Sequence, residues 1–456
     1  MERFFSLFLF FTIGFALGQT GFANAPKFPL QITTESGEFR DQFGRTILLR
    51  GVNAFGNSKV PPFKYGYDFS PLPNLGINSI RLLFIWEAFE KEQGQYNQAY
   101  LEHYKAMVRH AHENNLYVIV DFHQDAFSRF SVGGCGEGFP KWTLPPNIKP
   151  QVPRNDESCH NWGVKMFFNW EMHQSWHHFY NNTYGARDGF LSMIDIVSQQ
   201  LASESNIIGY DILNEPWGRE KYEIAPLYED SVAIIHQNHP NALAFICPHV
   251  LQSTGVLSTN LPKPTFASKA VFAPHYYDPG IFLNRWNKSR LQGAIGRWKK
   301  VQQQWDAPVF LGEFGASPGK MQGYLDEIYN QLNKNLISGA QWNYTPNWSK
   351  ESKDGWNNED FSIVDDKGNL RNNFQKRPYP QAIAGKVLSL NTEKGFELRW
   401  QQDGRAQEPT IIYFPGIKGK KMNLLGTSEK ASCTAVGEDH VHCRGSEGEI
   451  LTLTIF

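Results

Sequence analysis

Five cysteines in 456 residues give this chain little covalent bracing, and none of their spacings is the paired kind that holds a thiolate-bound metal. An excess of charge is also lacking. Lys and Arg number 44 against 45 Asp and Glu, for a net charge of −1, and the cations are scattered rather than striped. A phosphate backbone requires a basic stripe, so nucleic acid is excluded as a partner. Internal repeats and low-complexity tracts are missing too, which excludes solenoids and propellers. Long apolar runs are absent except at the N-terminus, where Phe4 to Leu17 falls short of the ~20 residues of a membrane helix. That run follows Met1-Glu2-Arg3 and precedes Ala23-Asn24-Ala25, the small-x-small pattern of a signal-peptidase site. A signal peptide over residues 1–25 and a secreted or periplasmic protein are expected.

What the chain does have is length and aromatic rings. Its 456 residues exceed what one hydrophobic core serves, so a large domain with a smaller one is expected. Aromatic residues make up 14%, with 13 Trp, a supply of flat faces on which sugar rings stack. From Thr46 to Thr345 the strand-like runs TILLRGVN, SIRLLFIW, LYVIVDFHQ, IIGYDILNE, LAFICPH, AVFAPHYY, PVFLGEFG and SGAQWNY alternate with helical stretches such as Tyr100 to Asn114, Phe190 to Glu204 and Met321 to Leu336. This α/β pattern predicts a (β/α)8 TIM barrel, and the preceding GEFRDQFGRTILLRG reads as a hairpin plugging its bottom. After about Lys386 the runs GFELRWQQ, PTIIYFP, ASCTAV, HVHCRG and EILTLTIF predict a small antiparallel β-sandwich. No Pro- or Ser-rich linker precedes it, so it is expected to pack rigidly on the barrel. The division is thus residues 1–25 signal peptide, 26–385 barrel and 386–456 sandwich.

Export permits disulfides. Cys433 and Cys443 flank a turn-like segment that suits a hairpin bridge, and Cys135 and Cys159 share one long insertion that a bridge would staple. Cys247, in the apolar run LAFICP, is left as a buried thiol.

In a TIM barrel the chemistry lies at the C-terminal strand ends. Those ends carry Arg81, then His123 and Asp125, Asn214 and Glu215, His275 and Tyr277, Glu313, and Trp342. Glu215 and Glu313 each close an apolar run, and two facing carboxylates can divide the labour of breaking a glycosidic bond. Glu215 is expected to be the general acid, its pKa raised by partial burial and the other carboxylate, and Glu313 the nucleophile. Asn214 would bond the sugar 2-hydroxyl, while Arg81 and Tyr277 orient Glu313. His275 would tune Glu215, and Trp342 would floor the reacting ring. No metal or cofactor is expected.

This set, Arg81, His123, Asn214-Glu215-Pro216, His275, Tyr277, Glu313 and Trp342, resembles glycoside hydrolase family 5 of clan A. The resemblance implies a retaining reaction, with the carboxyl groups about 5 to 5.5 Å apart. The runs DFHQDAFSR, GFPKWTLP, NEPWG and DGWNNEDFSIVDD are similar to the endoglycoceramidases, which release an intact glycan from ceramide. That likeness implies sugar contacts for His123 and Asp125, and for a lysine after the first strand, either Lys59 or Lys64. The endoglycoceramidases' small C-terminal sandwich matches the tail of this chain as well. A glycosphingolipid would need an apolar track, for which Phe127, Phe130, Phe139, Trp142, Trp162, Phe167, Phe168, Trp348 and Trp356 in the two long loops are candidates. The alternative is that these rings merely pack the loops. The helical segment WGVKMFFNWEMHQSWHHFY could touch a membrane surface transiently. A monomer is expected. Rival readings are a family 5 glucanase or β-glucosidase on soluble or sterol-linked sugar, and a non-catalytic lectin or adhesin, against which the presence of both glutamates argues.

Overall fold

The computed structural model of the chain describes residues 31–456 except 64, 65, 254 and 394. The signal peptide expected over residues 1–25, and Lys64, therefore lie outside the described residues.

The barrel strands are β1 (Arg50–Ala54), β2 (Ser79–Ile85), β3 (Tyr117–His123), β4 (Ile207–Asp211), β5 (Leu243–Ile246), β6 in two pieces (Ala270–Phe272 and His275–Tyr276), β7 (Phe310–Phe314) and β8 (Ser338–Gln341). Every residue of these strands is buried, as parallel strands sheathed by helices must be, and this is why the sequence shows near-continuous apolar runs. The break in β6 has a cause. Pro274 has no N–H to give to a ladder, so the first piece pairs with β5 and the second with β7. The seam is closed by Phe272 N donating to Pro308 O at 2.9 Å and Gly312 N donating to Pro274 O at 2.8 Å. With β8 paired to β1, the sheet comes full circle as the predicted barrel.

The three expected helices form over Gln98–Glu113, Ala186–Leu201 and Tyr324–Asn335. The first starts where Asn97 caps Tyr100 N, and it buries Tyr100, Leu101, Tyr104, Met107, Val108 and Ala111, the i, i+3, i+4 stripe of a helix lying on a sheet.

Strands Ile32–Glu35 and Glu38–Asp41 form the N-terminal hairpin. Phe39 meets Phe245 at 6.3 Å, in one apolar cluster with Ile119, Ile208 and Val271, so the hairpin does close the barrel floor. It also does something the sequence did not suggest. Through Thr46–Ile47 it pairs with Tyr379–Ile383 and so leads a seven-stranded sheet that continues into Thr410–Tyr413, His440–Arg444 and Ser432–Val436. A four-stranded sheet of Gly385–Asn391, Phe396–Gln402, Ile450–Ile455 and Met422–Leu425 packs on it. Leu398, Trp400, Ile412, Val441 and Leu453 fill the space between. The sandwich thus borrows strands from the front of the chain, and its sheet begins ahead of residue 386 with Tyr379.

Cys433 and Cys443 lie opposite each other in register and are bonded, as are Cys135 and Cys159; Cys247 is free and buried.

Candidate active site

Arg81 occupies the middle of the barrel mouth, fully buried. All five guanidinium N–H groups have acceptors: Asp211 Oδ2 at 2.9 Å, Asn53 Oδ1 at 3.0 Å, Glu313 Oε1 at 2.9 Å, Asp121 Oδ1 at 2.9 Å and Asn214 Oδ1 at 2.8 Å. The register makes this possible, because Asn53 on β1 sits beside Arg81 on β2. Burial opposes the charge on Arg81, but Asp121 and Asp211 outweigh it and raise its pKa. Burial in turn pushes Asp211 up to about 6, against the pull of Arg81.

Glu313 is held at both oxygens. Arg81 takes Oε1, and the Tyr277 hydroxyl donates to Oε2 at 3.1 Å. Burial and the Glu313 charge raise the Tyr277 pKa well above 10, so the phenol stays a donor. Opposite, Glu215 Oε1 lies 3.0 Å from His275 Nδ1, and an oxygen of Glu215 comes within 4.8 Å of one of Glu313. That separation is compatible with the ~5–5.5 Å carboxyl spacing of retaining glycosidases and shorter than the ~6.5–9.5 Å of inverting ones. Burial raises the Glu215 pKa; the His275 bond opposes the shift and the Glu313 charge reinforces it. The carboxyl is thereby kept protonated to higher pH than a solvated glutamate.

Glu215 has φ of +37°, an uncommon conformation for a residue with a side chain and a cost of order 1–3 kcal/mol. Gln124 over-determines it. Its Nε2 donates to the carbonyls of Asn214 at 2.6 Å and Glu215 at 3.1 Å, while Asn214 Nδ2 donates back to Gln124 O at 2.9 Å.

A second buried cluster lies between the ends of β1, β3 and β8. Lys59 Nζ contacts Asp125 Oδ2 at 2.5 Å and sits 4.3 Å above the Trp342 ring and 4.0 Å above Trp356. Glu359 Oε2 lies 4.0 Å away, and burial pushes its pKa up to about 7 despite Lys59. His123 bonds Asp121 Oδ2 through Nδ1 at 2.6 Å and lies parallel to Trp342, rings 5.5 Å apart. Acid and imidazole groups converge here and around Glu215, Glu313 and His275, yet each cluster already contains a side-chain cation, Lys59 or Arg81, so the donor set does not fit a further metal ion.

Of the expected site residues, Glu215, Glu313, Arg81, Asn214, His275 and Tyr277 fall in one network, and His123, Asp125, Trp342 and Lys59 in the neighbouring one. Of the two candidate lysines, the described residues include only Lys59. The sequence singled out neither Asp121, Asp211, Asn53, Gln124, Glu137 nor Glu359, and Trp356, a candidate for the apolar track, instead covers Lys59. Asp121 and Asp211 were findable, since an acid inside an otherwise apolar strand calls for a buried cation.

The loop aromatics divide between the two readings given to them. Phe127 and Phe139 stack at 4.3 Å and pack against Trp176 and Phe179, so they build the loop core. Trp162 meets Trp356 at 5.0 Å, and Asn357 Nδ2 donates to Cys135 O at 2.7 Å, knitting the two long loops together. Phe167, by contrast, meets Trp217 at 5.6 Å, and His173 stacks on Trp217 at 4.3 Å, forming a shelf two residues past Glu215. Beside it Phe168 and Trp170 are 84% and 70% exposed. No described helix is long and apolar enough to cross a membrane.

Residues 41–348 match the family model Cellulase (glycosyl hydrolase family 5), and residues 377–455 match the glycoside hydrolase family 5 C-terminal domain. An endoglycoceramidase from Cyanea nozakii is 25% identical over 441 residues, covering 84% of this chain and 84% of that protein. An ergosteryl-beta-glucosidase from Saccharomyces cerevisiae is 30% identical over 142 residues, 24% of this chain and 18% of that protein. Among solved structures, endo-glycoceramidase II from Rhodococcus sp. in a ganglioside GM3 complex superposes with a TM-score of 0.75 at 20% identity, covering 91% of this chain and 98% of that one, which shows the shared fold.

Proposed function

This chain belongs to glycosyl hydrolase family 5, and from that premise we propose that it cleaves the β-glycosidic bond between glycan and ceramide in glycosphingolipids, with retention of configuration. One observation carries the substrate reading. The proton donor must face the leaving oxygen, and the aromatic shelf of Trp217 and Phe167 begins two residues beyond Glu215. An apolar aglycone therefore leaves along that shelf, while the polar Lys59, Asp125 and His123 cluster receives sugar hydroxyls.

In the first half-reaction a Glu313 oxygen bonds to the anomeric carbon as Glu215 gives its proton to the ceramide oxygen, which departs as the alcohol. In the second, Glu215 takes a proton from water, the hydroxide displaces Glu313, and the free glycan leaves with its original anomeric configuration. Arg81 and Tyr277 hold Glu313 aimed through both of its oxygens, and His275 orients Glu215. The second hydrogen on Asn214 Nδ2 bonds the sugar 2-hydroxyl. Trp342 supports the reacting ring.

The exposed Phe168 and Trp170 support brief contact with a lipid surface, where this substrate resides. The working unit is a secreted or periplasmic monomer, a catalytic barrel joined to a sandwich whose own strands begin at Tyr379 rather than at residue 386. Turnover of a short-chain fluorescent glycosylceramide is expected to exceed that of a soluble cello-oligosaccharide, and the reverse preference overturns the ceramide reading. A second reading, sterol-linked glucose, is favoured by the local likeness to the ergosteryl-beta-glucosidase, since a sterol fits the same shelf. Product masses from glucosyl-, lactosyl- and galactosyl-headed ceramides and a steryl glucoside separate the two.

A further inference from the structure

Glu137 belongs to the Lys59 cluster, yet the mechanism does not require it. It is wholly buried, and among the described residues neither carboxyl oxygen has a hydrogen-bond partner. Its backbone is fixed firmly. Asp125 N donates to Glu137 O at 3.2 Å and Glu137 N to Asp125 O at 2.8 Å, the Cys135–Cys159 bridge lies two residues upstream, and a Cβ on the next residue, Gly138 (φ +109°), would fall 2.6 Å from Gln124 Cα. Glu137 Oε1 thereby stands 3.5 Å from His123 Nε2, which also lacks a hydrogen-bond partner among the described residues.

A bare carboxylate in such a place costs several kcal/mol unless it is paired or protonated. His123 commits Nδ1–H to Asp121, so Nε2 is the free ring nitrogen facing both Glu137 and, at 3.5 Å, Asp125 Oδ2. We propose that Glu137 is a positioning residue that shares one proton with His123, so that Lys59 remains committed to Asp125 and the pair stays set to bind sugar. On either atom the proton leaves the His123–Glu137 couple neutral. Its loss leaves a second carboxylate among His123, Asp125 and Glu137, whose polar atoms lie within 4.8 Å of one another, and draws Lys59 away from Asp125. The groups facing the couple are Asp121 and Asp125 from β3 and its loop, Lys59 from the loop after β1, and Glu359 from the loop after β8. Burial favours the protonated form of Glu137 and, against the opposing effect of burial, Asp121 favours the protonated form of His123, so both groups compete for the proton between them. Both directions set proton loss on the alkaline side.

The inference rests on the reading of Lys59 and Asp125 as sugar contacts, so its test has one arm that needs no substrate. Glu137→Gln keeps the shape and cannot ionise. With a soluble aryl β-glycoside, the wild-type KM is expected to rise about tenfold between pH 7 and pH 10 with kcat not sharing that limb, while the KM of E137Q stays flat. In substrate-free protein, 15N NMR of His123 is expected to show an alkaline midpoint that falls by about one unit or more in E137Q. An unchanged KM limb or an unchanged His123 midpoint in E137Q overturns the proposal. If E137Q does not fold, the wild type still decides, because a His123 midpoint below pH 7 excludes the shared proton.

Discussion

The Arg81 cluster and the Lys59 cluster are both buried ion networks at the same end of one barrel, and they differ in completeness. Around Arg81 every guanidinium N–H has an acceptor. Around Lys59, His123 Nε2, Glu359 Oε2, Trp356 Nε1 and both Glu137 oxygens lack hydrogen-bond partners among the described residues. Buried polar groups in folded proteins are nearly all satisfied, and exceptions point to function. Apart from Asp211 Oδ1, the first network is satisfied scaffold around Glu313; the second has the larger unmet capacity, which we propose a hydroxyl-rich ligand fills.

The sharpest way to test that contrast is at the nucleophile itself. Glu313→Gln keeps the Arg81 contact and is expected to lower kcat by about 10⁴-fold or more with little change in folding, read by steady-state kinetics and circular dichroism. Retained turnover breaks the assignment. Next comes the scaffold: Arg81→Met strands Asp121, Asp211 and Glu313 without their cation and is expected to cost about 3–5 kcal/mol in urea unfolding. Glu215→Ala is expected to lose about 10²–10⁴-fold on glycosylceramide but far less on an aryl glycoside with a good leaving group. Azide should restore it as a glycosyl azide of retained configuration, and an inverted product contradicts the short carboxylate spacing. In the wild type, because the folded pKa of Glu215 is raised, kcat/KM should hold at acidic to neutral pH and fall as pH climbs through that value. The smallest effect belongs to the unfinished cluster. Lys59→Met is expected to raise KM about tenfold with a small change in kcat and a stability loss well below that of Arg81→Met. Equal destabilisation of the two variants would erase the distinction between scaffold and binding cluster.

Much of this was legible in the sequence because parallel strands are buried on both faces and announce themselves as apolar runs, leaving their polar C-terminal ends conspicuous. Glu215 and Glu313 were visible for that reason. Glu137 and Glu359 were not, since each acquires meaning only when a long loop folds back over β3, and no periodicity encodes that return. The strand Tyr379–Ile383 hid for another reason: five residues with a proline and a glutamine carry no alternation of their own, and they become a strand by pairing with Thr46–Ile47 and Thr410–Tyr413.

That pairing has a consequence in time. Thr46–Ile47 leaves the ribosome early, but its partner is made roughly 330 residues later, which at about 5–20 residues per second is a wait of tens of seconds. Throughout that interval the barrel floor presents an open ladder edge, the kind of edge through which nascent chains aggregate. The protein is therefore most vulnerable while it is being made, and its dependence on chaperones should be concentrated before its last eighty or so residues emerge.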